Sequence, residues 1–211
     1  MKLWKQTTKY SCGPSVLMMI LNHYKKCSMS KKEEIKLWKE TRINPLKLES
    51  EFAIALAMAK RGITTEIITT SKIPNKTEID FCLKYEKIPK NKLKCIFSEY
   101  KENKLKMENL CKKSGIKIIK KVPNIKDLTH SFKKGPAIII FDDFSLDRNS
   151  HCIHAASVLD RKDKFFTLYD PWYGKIKMSE SEMNKSFRSL KSSLKMNPAI
   201  ISIVKVDQYG H

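Results

Sequence analysis

Glycine is scarce in this chain: six occur in 211 residues. That excludes collagen-like and glycine-rich low-complexity classes, and it gives each glycine more weight than usual. No internal repeat is present. The six cysteines, at 12, 27, 82, 95, 111 and 152, contain no CxxC pair and no regular spacing. A disulfide framework is therefore not expected, and five of the six are read as ordinary small hydrophobes. His151, Cys152 and His154 lack the second paired cluster that zinc sites offer, so neither metal nor cofactor is expected. The first ten residues hold three lysines and no apolar core, unlike a signal peptide. Val16 to Leu21 is too short to span a bilayer. These absences lead to the expectation of a cytoplasmic protein with no membrane partner.

Acidic residues are also in short supply. Asp and Glu number 22 against 42 Lys and Arg, a net charge of +20. Such a field favours acidic partners. The lysines are dispersed, however, without a stripe or interleaved aromatics, which argues against a nucleic-acid module. Hydrophobic residues make up 41 %, as in ordinary globular proteins. The length suits one domain, 1–211, with a real core. Residues 73–107, lysine-rich and weakly patterned, are assigned to helical pieces and loops of an insertion or lid.

The first half reads as mainly helical. Ser15–Tyr24 is apolar on most sides and predicts a buried helix, with Pro14 at its first turn. Ser30–Glu40 predicts a polar surface helix capped by Ser30, and Ser50–Arg61 an apolar helix stopped by Gly62. Thr64–Thr70 and Ile116–Val122 read as strands, with a helix closing at Ser114 between them. Ile125–Lys134 predicts a short helix. The last third reads as β: Ala137–Phe141, a hairpin of Ile153–Leu159 with Phe165–Tyr169, and Ile200–Val206. Helices first and antiparallel strands last is an α+β pattern.

One constellation carries chemistry. Gln6 is followed by Cys12-Gly13-Pro14 and at once by the apolar helix. Free N–H groups and the dipole at a helix N-terminus stabilise a thiolate, so Cys12 is the candidate nucleophile. Gln6 and the Cys12 backbone N–H could supply two oxyanion donors. A nucleophile needs a base, and the base needs an orienter. His154 opens one hairpin strand, and Asp170 ends the other, sixteen residues on. Antiparallel pairing brings those ends together, so Asp170 can fix the tautomer of His154. His151 competes as base, but His154 leads into the apolar run and keeps the spacing to Asp170-Pro171. His23 and His130 read as helix-surface residues, and Trp172 and Tyr173 as packing residues or cleft walls.

The order Gln6, Cys12-Gly13-Pro14, His154 before a strand, then Asp170-Pro171-x-x-Gly174 resembles the C39-like family of papain-fold cysteine peptidases. The resemblance runs from Gln6 to the last strand. It implies a papain-like fold, with a Cys-bearing central helix packed on a C-terminal antiparallel sheet. It implies Gln6 as oxyanion donor, Cys12 as nucleophile, His154 as base and Asp170 as third member. Ser11 stands where many relatives have Asp. The activity implied is acyl transfer through a thioester, most simply that of a cysteine peptidase or amidase on a peptide. An amide-forming acyltransferase, drawing on an acyl-thioester of an acidic carrier protein, and a binding protein on a retired protease fold are the alternatives.

Overall fold

Apolar on every side, the run behind the first cysteine forms the helix around which the molecule is built. This is α1 (Cys12–Lys25), and every residue from Gly13 to Leu21 is buried. Pro14 sits in its first turn. The computed structural model describes residues 1–70, 89–147 and 151–207. Helix α2 (Lys31–Thr41) starts where the Ser30 side chain accepts the Glu33 N–H, and α3 (Glu51–Ala59) where Ser50 accepts that of Phe52.

The β-branched and isoleucine-rich runs form one sheet. Its strands are β1 (Ile63–Thr69), β2 (Lys117–Lys120), β3 (Ala137–Asp142), β4 (Ile153–Lys162), β5 (Phe165–Asp170), β6 (Gly174–Ser179) and β7 (Ala199–Val206). Their order is β2-β1-β7-β3-β4-β5-β6. All neighbours are antiparallel except β1 and β2, which run parallel. Helix α4 (Leu93–Lys113) lies between β1 and β2 in sequence; α5 (Ile125–Ser131) and α6 (Glu180–Ser192) complete the helices among the described residues. Both of the last two begin with a capping box, Asn124 with Asp127 and Ser179 with Glu182.

Both faces of the sheet are covered, which explains the unbroken apolar run of β3. Ile138, Ala155, Ile201 and Ile203 pack with α1 and α3. Ile139, Phe141, Ala156 and Val158 pack on the other face with Leu128 of α5 and with Met183 and Phe187 of α6. Helix α1 lies against β4 and β5. That contact carries Cys12 to the end of the sheet where β4 begins.

The architecture is the expected α+β papain-like one, with four differences of detail. Helix α2 is not simply a surface helix: Glu34, Leu37 and Thr41 are buried on its inner face. The helix expected to close at Ser114 starts at Leu93 and packs against α3. Of the expected insertion, 73–88 lies outside the described residues, and the remainder feeds this helix, where Tyr100 is buried. The strands of the hairpin reach further than expected, leaving Asp163 and Lys164 as a two-residue turn, with Asp163 at φ 55°. The segment 174–192 forms β6 and α6; in β6 the exposed Lys175 and Lys177 alternate with Gly174, Ile176 and Met178.

Candidate active site

Sheet register puts His154 and Asp170 together. Ser157 pairs with Tyr169, so Ala156 stands opposite Asp170. His154 lies two residues beyond Ala156 and therefore on the same face, as a diagonal neighbour of Asp170. His154 Nε2 is 2.9 Å from both Asp170 carboxylate oxygens. Asp170 is fully buried and His154 nearly so. Asp170 is itself held in place. Its Oδ1 accepts the backbone N–H groups of Trp172 (2.7 Å) and Tyr173 (2.9 Å), closing the turn that starts at Pro171. With Nε2 committed to the carboxylate, Nδ1 is the ring nitrogen left for proton transfer.

Cys12 shares a cavity with His154, and Asp170 stands behind the imidazole. The cavity, of about 40 Å³, is lined by Lys9, Tyr10, Cys12, Gly13, Glu49, His154 and neighbouring apolar residues. Cys12 is the first residue of α1, half-buried, and no side-chain cap from Ser11 occupies the helix N-terminus. The thiol was expected to be acidified there. Instead, burial pushes its pKa well above the ordinary thiol value, and the Glu49 carboxylate adds to the rise. Only the Ala155 and Gly13 backbone N–H groups pull the other way. Burial, the Glu49 carboxylate and, to a smaller extent, Cys152 thus outweigh the helix terminus, and the resting thiol is protonated at neutral pH.

The nucleophile loop is tied down by a residue that sequence patterning missed. Glu34 of α2 is fully buried. One of its oxygens accepts the Trp4 indole N–H (2.8 Å); the other accepts the Thr7 backbone N–H (2.8 Å) and the Ser11 hydroxyl. These donors flank Cys12 on its N-terminal side. The one hint in the sequence is that Glu34 falls on the same helical face as Leu37 and Thr41.

Gln6 lies beside the turn, its backbone N–H donating to the Pro171 carbonyl at 2.9 Å. Its side-chain amide donates to the Thr8 carbonyl at 2.8 Å, and its Oε1 is buried with no partner. Gln6 is not among the residues lining the cavity. His151 belongs to a different cluster. Its Nδ1 is 2.5 Å from buried Asp142 Oδ2, and Phe144 stacks on its ring. Tyr173 sets its ring edge-on to His154, centroids 6.1 Å apart, and its hydroxyl donates to Asp143 at 3.4 Å. Burial pushes the Asp143 carboxyl up to about 6, against the opposing pull of the His154 charge. Trp172 is exposed. Among the described residues no three of His, Cys, Asp and Glu are grouped to hold a metal ion. No helix among them is long and apolar enough to cross a membrane.

Glu49, on the cavity wall, is a second finding. Burial raises its pKa well above the ordinary carboxyl value. A carboxyl raised in the folded state favours folding below its unfolded pKa and loses that contribution as pH rises through the folded value. Glu49→Gln is therefore expected to stabilise the protein at pH 7 and to change little at pH 4. Urea melts at the two pH values measure this. Equal or lower stability at pH 7 would mean that the carboxylate is better solvated than its surroundings indicate.

A family profile described as "Peptidase_C39 like family" matches residues 1–192. No curated protein matches the chain. Among solved structures, a C39-like peptidase from Bacillus anthracis superposes with a TM-score of 0.52 at 12 % identity, covering 98 % of this chain and 96 % of that one. At that identity the likeness speaks for the fold. The peptidase domain of Streptococcus ComA, a bi-functional ABC transporter, aligns over 96 % of this chain and 98 % of its own, with a TM-score of 0.49 and 14 % identity. A double-glycine-motif protease from an AMS/PCAT transporter, in complex with its leader peptide, aligns over 96 % and 91 %, with a TM-score of 0.46 and 16 % identity.

Proposed function

The chain belongs to the Peptidase_C39-like family, and from that premise we propose that it is a cysteine-nucleophile acyl-transfer enzyme working through Cys12, His154 and Asp170. The observation that carries this reading is that His154, held by Asp170 at 2.9 Å, lines one cavity with the thiol at the start of α1. We further assign the whole chain to a single catalytic domain.

The steps follow from the groups present. Because the resting thiol is protonated, His154 Nδ1 takes its proton as Sγ attacks the carbonyl carbon. Asp170 holds the ring and stabilises the imidazolium that forms. The Cys12 backbone N–H faces the developing oxyanion. Gln6 completes the hole with the second of its two amide protons, the first being held by Thr8. Collapse expels the leaving group, which takes the proton from His154 and leaves the acyl group on Sγ as a thioester. Water then attacks that thioester, with His154 as base, and releases the acid.

This reading makes the protein a peptidase or amidase acting on a peptide. The net charge of +20 favours a second reading, in which an amine replaces water and the acyl donor is a thioester on an acidic carrier protein. Intact-mass spectrometry with acyl thioesters and short peptides, with and without amines, tests both. An adduct mapped to the Cys12 peptide is expected. Discharge to water with cleaved peptide products marks the peptidase; discharge mainly to amine, with acylation that weakens as salt is raised, marks the ligase. Absence of any adduct from either donor class would sink the catalytic reading in favour of a binding protein.

A further inference from the structure

Glu49 takes no part in the steps above, yet it stands in the same cavity. It ends the strand-like bridge that pairs it with Arg42, just before the Ser50 cap of α3. Its Oε1 is shut off from water and has no hydrogen-bond partner. Its Oε2 lies 3.4 Å from where a Cβ on Gly13 would be, so the carboxyl leans over the first turn of α1. No cation among the described residues neutralises it. The nearby Lys9 and Lys47 ammonium groups lie over the Tyr10 ring, at 5.1 and 5.3 Å from its centroid. A chain with twenty more cations than anions leaves the carboxylate in its thiol cavity unpaired. A shielded carboxylate held only by its own backbone N–H is costly unless a positive group completes it. The cavity, about 40 Å³, has room for a few water-sized groups. That suits an ammonium on a short alkyl arm better than a planar guanidinium.

We propose that Glu49 is a specificity-determining residue that receives a primary ammonium group carried by the acyl donor close to its reacting carbonyl. The inference rests on Cys12 being the acyl-accepting nucleophile. It also supplies a coupling: an ammonium at Glu49 cancels the charge that opposes ionisation of the thiol, so the matching donor readies the sulfur it will acylate.

Two probes test this separately from the catalytic reading. The first is modification by methyl, 2-aminoethyl and 2-sulfonatoethyl methanethiosulfonate, which are neutral, cationic and anionic. Each reacts when a thiolate attacks the sulfenyl sulfur and expels methanesulfinate, and none needs catalysis. Rates are read by peptide mass at Cys12 and at exposed Cys95, which reports the overall field of the protein. With the neutral reagent correcting for access, the cation-to-anion ratio at Cys12 is expected to exceed that at Cys95 about tenfold or more, and to fall to the Cys95 value in Glu49→Gln. Equal ratios at the two sites, or a ratio at Cys12 unmoved by Glu49→Gln, would overturn the proposal. The second probe is acylation by the N-acetylcysteamine thioesters of 3-aminopropanoate and butanoate, which differ only by ammonium for methyl. Faster acylation by the amino compound, lost in Glu49→Gln, is expected. Equal acylation by both would discard Glu49 and keep the Cys12 chemistry. Acylation by neither, with the thiosulfonate ratio intact, would discard the chemistry and keep the cation subsite.

Discussion

Acylation of Cys12 in an Asp170→Asn protein is expected to be slower than in the wild type by about 10³–10⁴-fold, with the fold intact. The size of the effect follows from what Asn keeps and what it loses. Asn retains an oxygen for the Trp172 and Tyr173 N–H groups, so the turn after Pro171 survives. Its amide nitrogen, however, must face His154 Nε2 and donate to it. That moves the ring proton to Nδ1, the nitrogen needed to accept the thiol proton. The base is then in the wrong tautomer, and the imidazolium has lost its counter-charge. Asp170→Ala would also free two backbone donors and is a poorer test. Acyl-enzyme formation followed by intact mass, beside far-UV circular dichroism, reads both parts. A fall of less than tenfold with native dichroism would remove Asp170 from the machinery.

Glu34→Ala should produce the largest stability loss of any single change considered. It strands the Trp4 indole, the Thr7 N–H and the Ser11 hydroxyl around a buried hole. Each unsatisfied buried donor costs about 1–3 kcal/mol. Allowing for partial relaxation, a loss of about 3–5 kcal/mol is expected, or roughly 10 °C in Tm at this chain length. Glu34→Gln keeps one acceptor oxygen and should lose about half as much. Because the donors precede Cys12, acylation should slow as well. Thermal melts of both variants settle the ranking. An Ala variant within about 0.5 kcal/mol of wild type, the range of ordinary surface changes, would show that water replaces the carboxylate.

The helix behind Cys12, the isoleucine strands and the hairpin were legible because each has a period or a turn that its residues alone dictate. His154 and Asp170 were legible together because a hairpin converts sequence spacing into adjacency. Glu34 and Glu49 were not. A buried carboxylate looks like any surface acid until tertiary packing surrounds it; Glu34 sits among lysines, and Glu49 precedes a helix cap and a second acid, Glu51. The protonation of Cys12 was misjudged for the same reason. A helix N-terminus can be read from Gly13-Pro14, whereas the burial and the Glu49 charge that oppose it arise from α3 and β4 closing over the thiol. The parallel pairing of β1 with β2 depends on a crossover through α4, and pairing direction is not written in either strand.

The strand order has one more effect. Among the described strands, β2 and β6 lie at the two margins of the sheet, each with one side of its backbone unpaired. Such margins invite other chains to add strands. Here each carries two exposed lysines, Lys117 and Lys120 on one and Lys175 and Lys177 on the other. Lys117 and Lys120 are paired with Glu66 and Glu108, whereas two copies meeting along β6 would set the Lys175 and Lys177 ammonium groups against one another. Part of the basic excess thus acts as a guard against aggregation, and it would weaken as salt screens the repulsion.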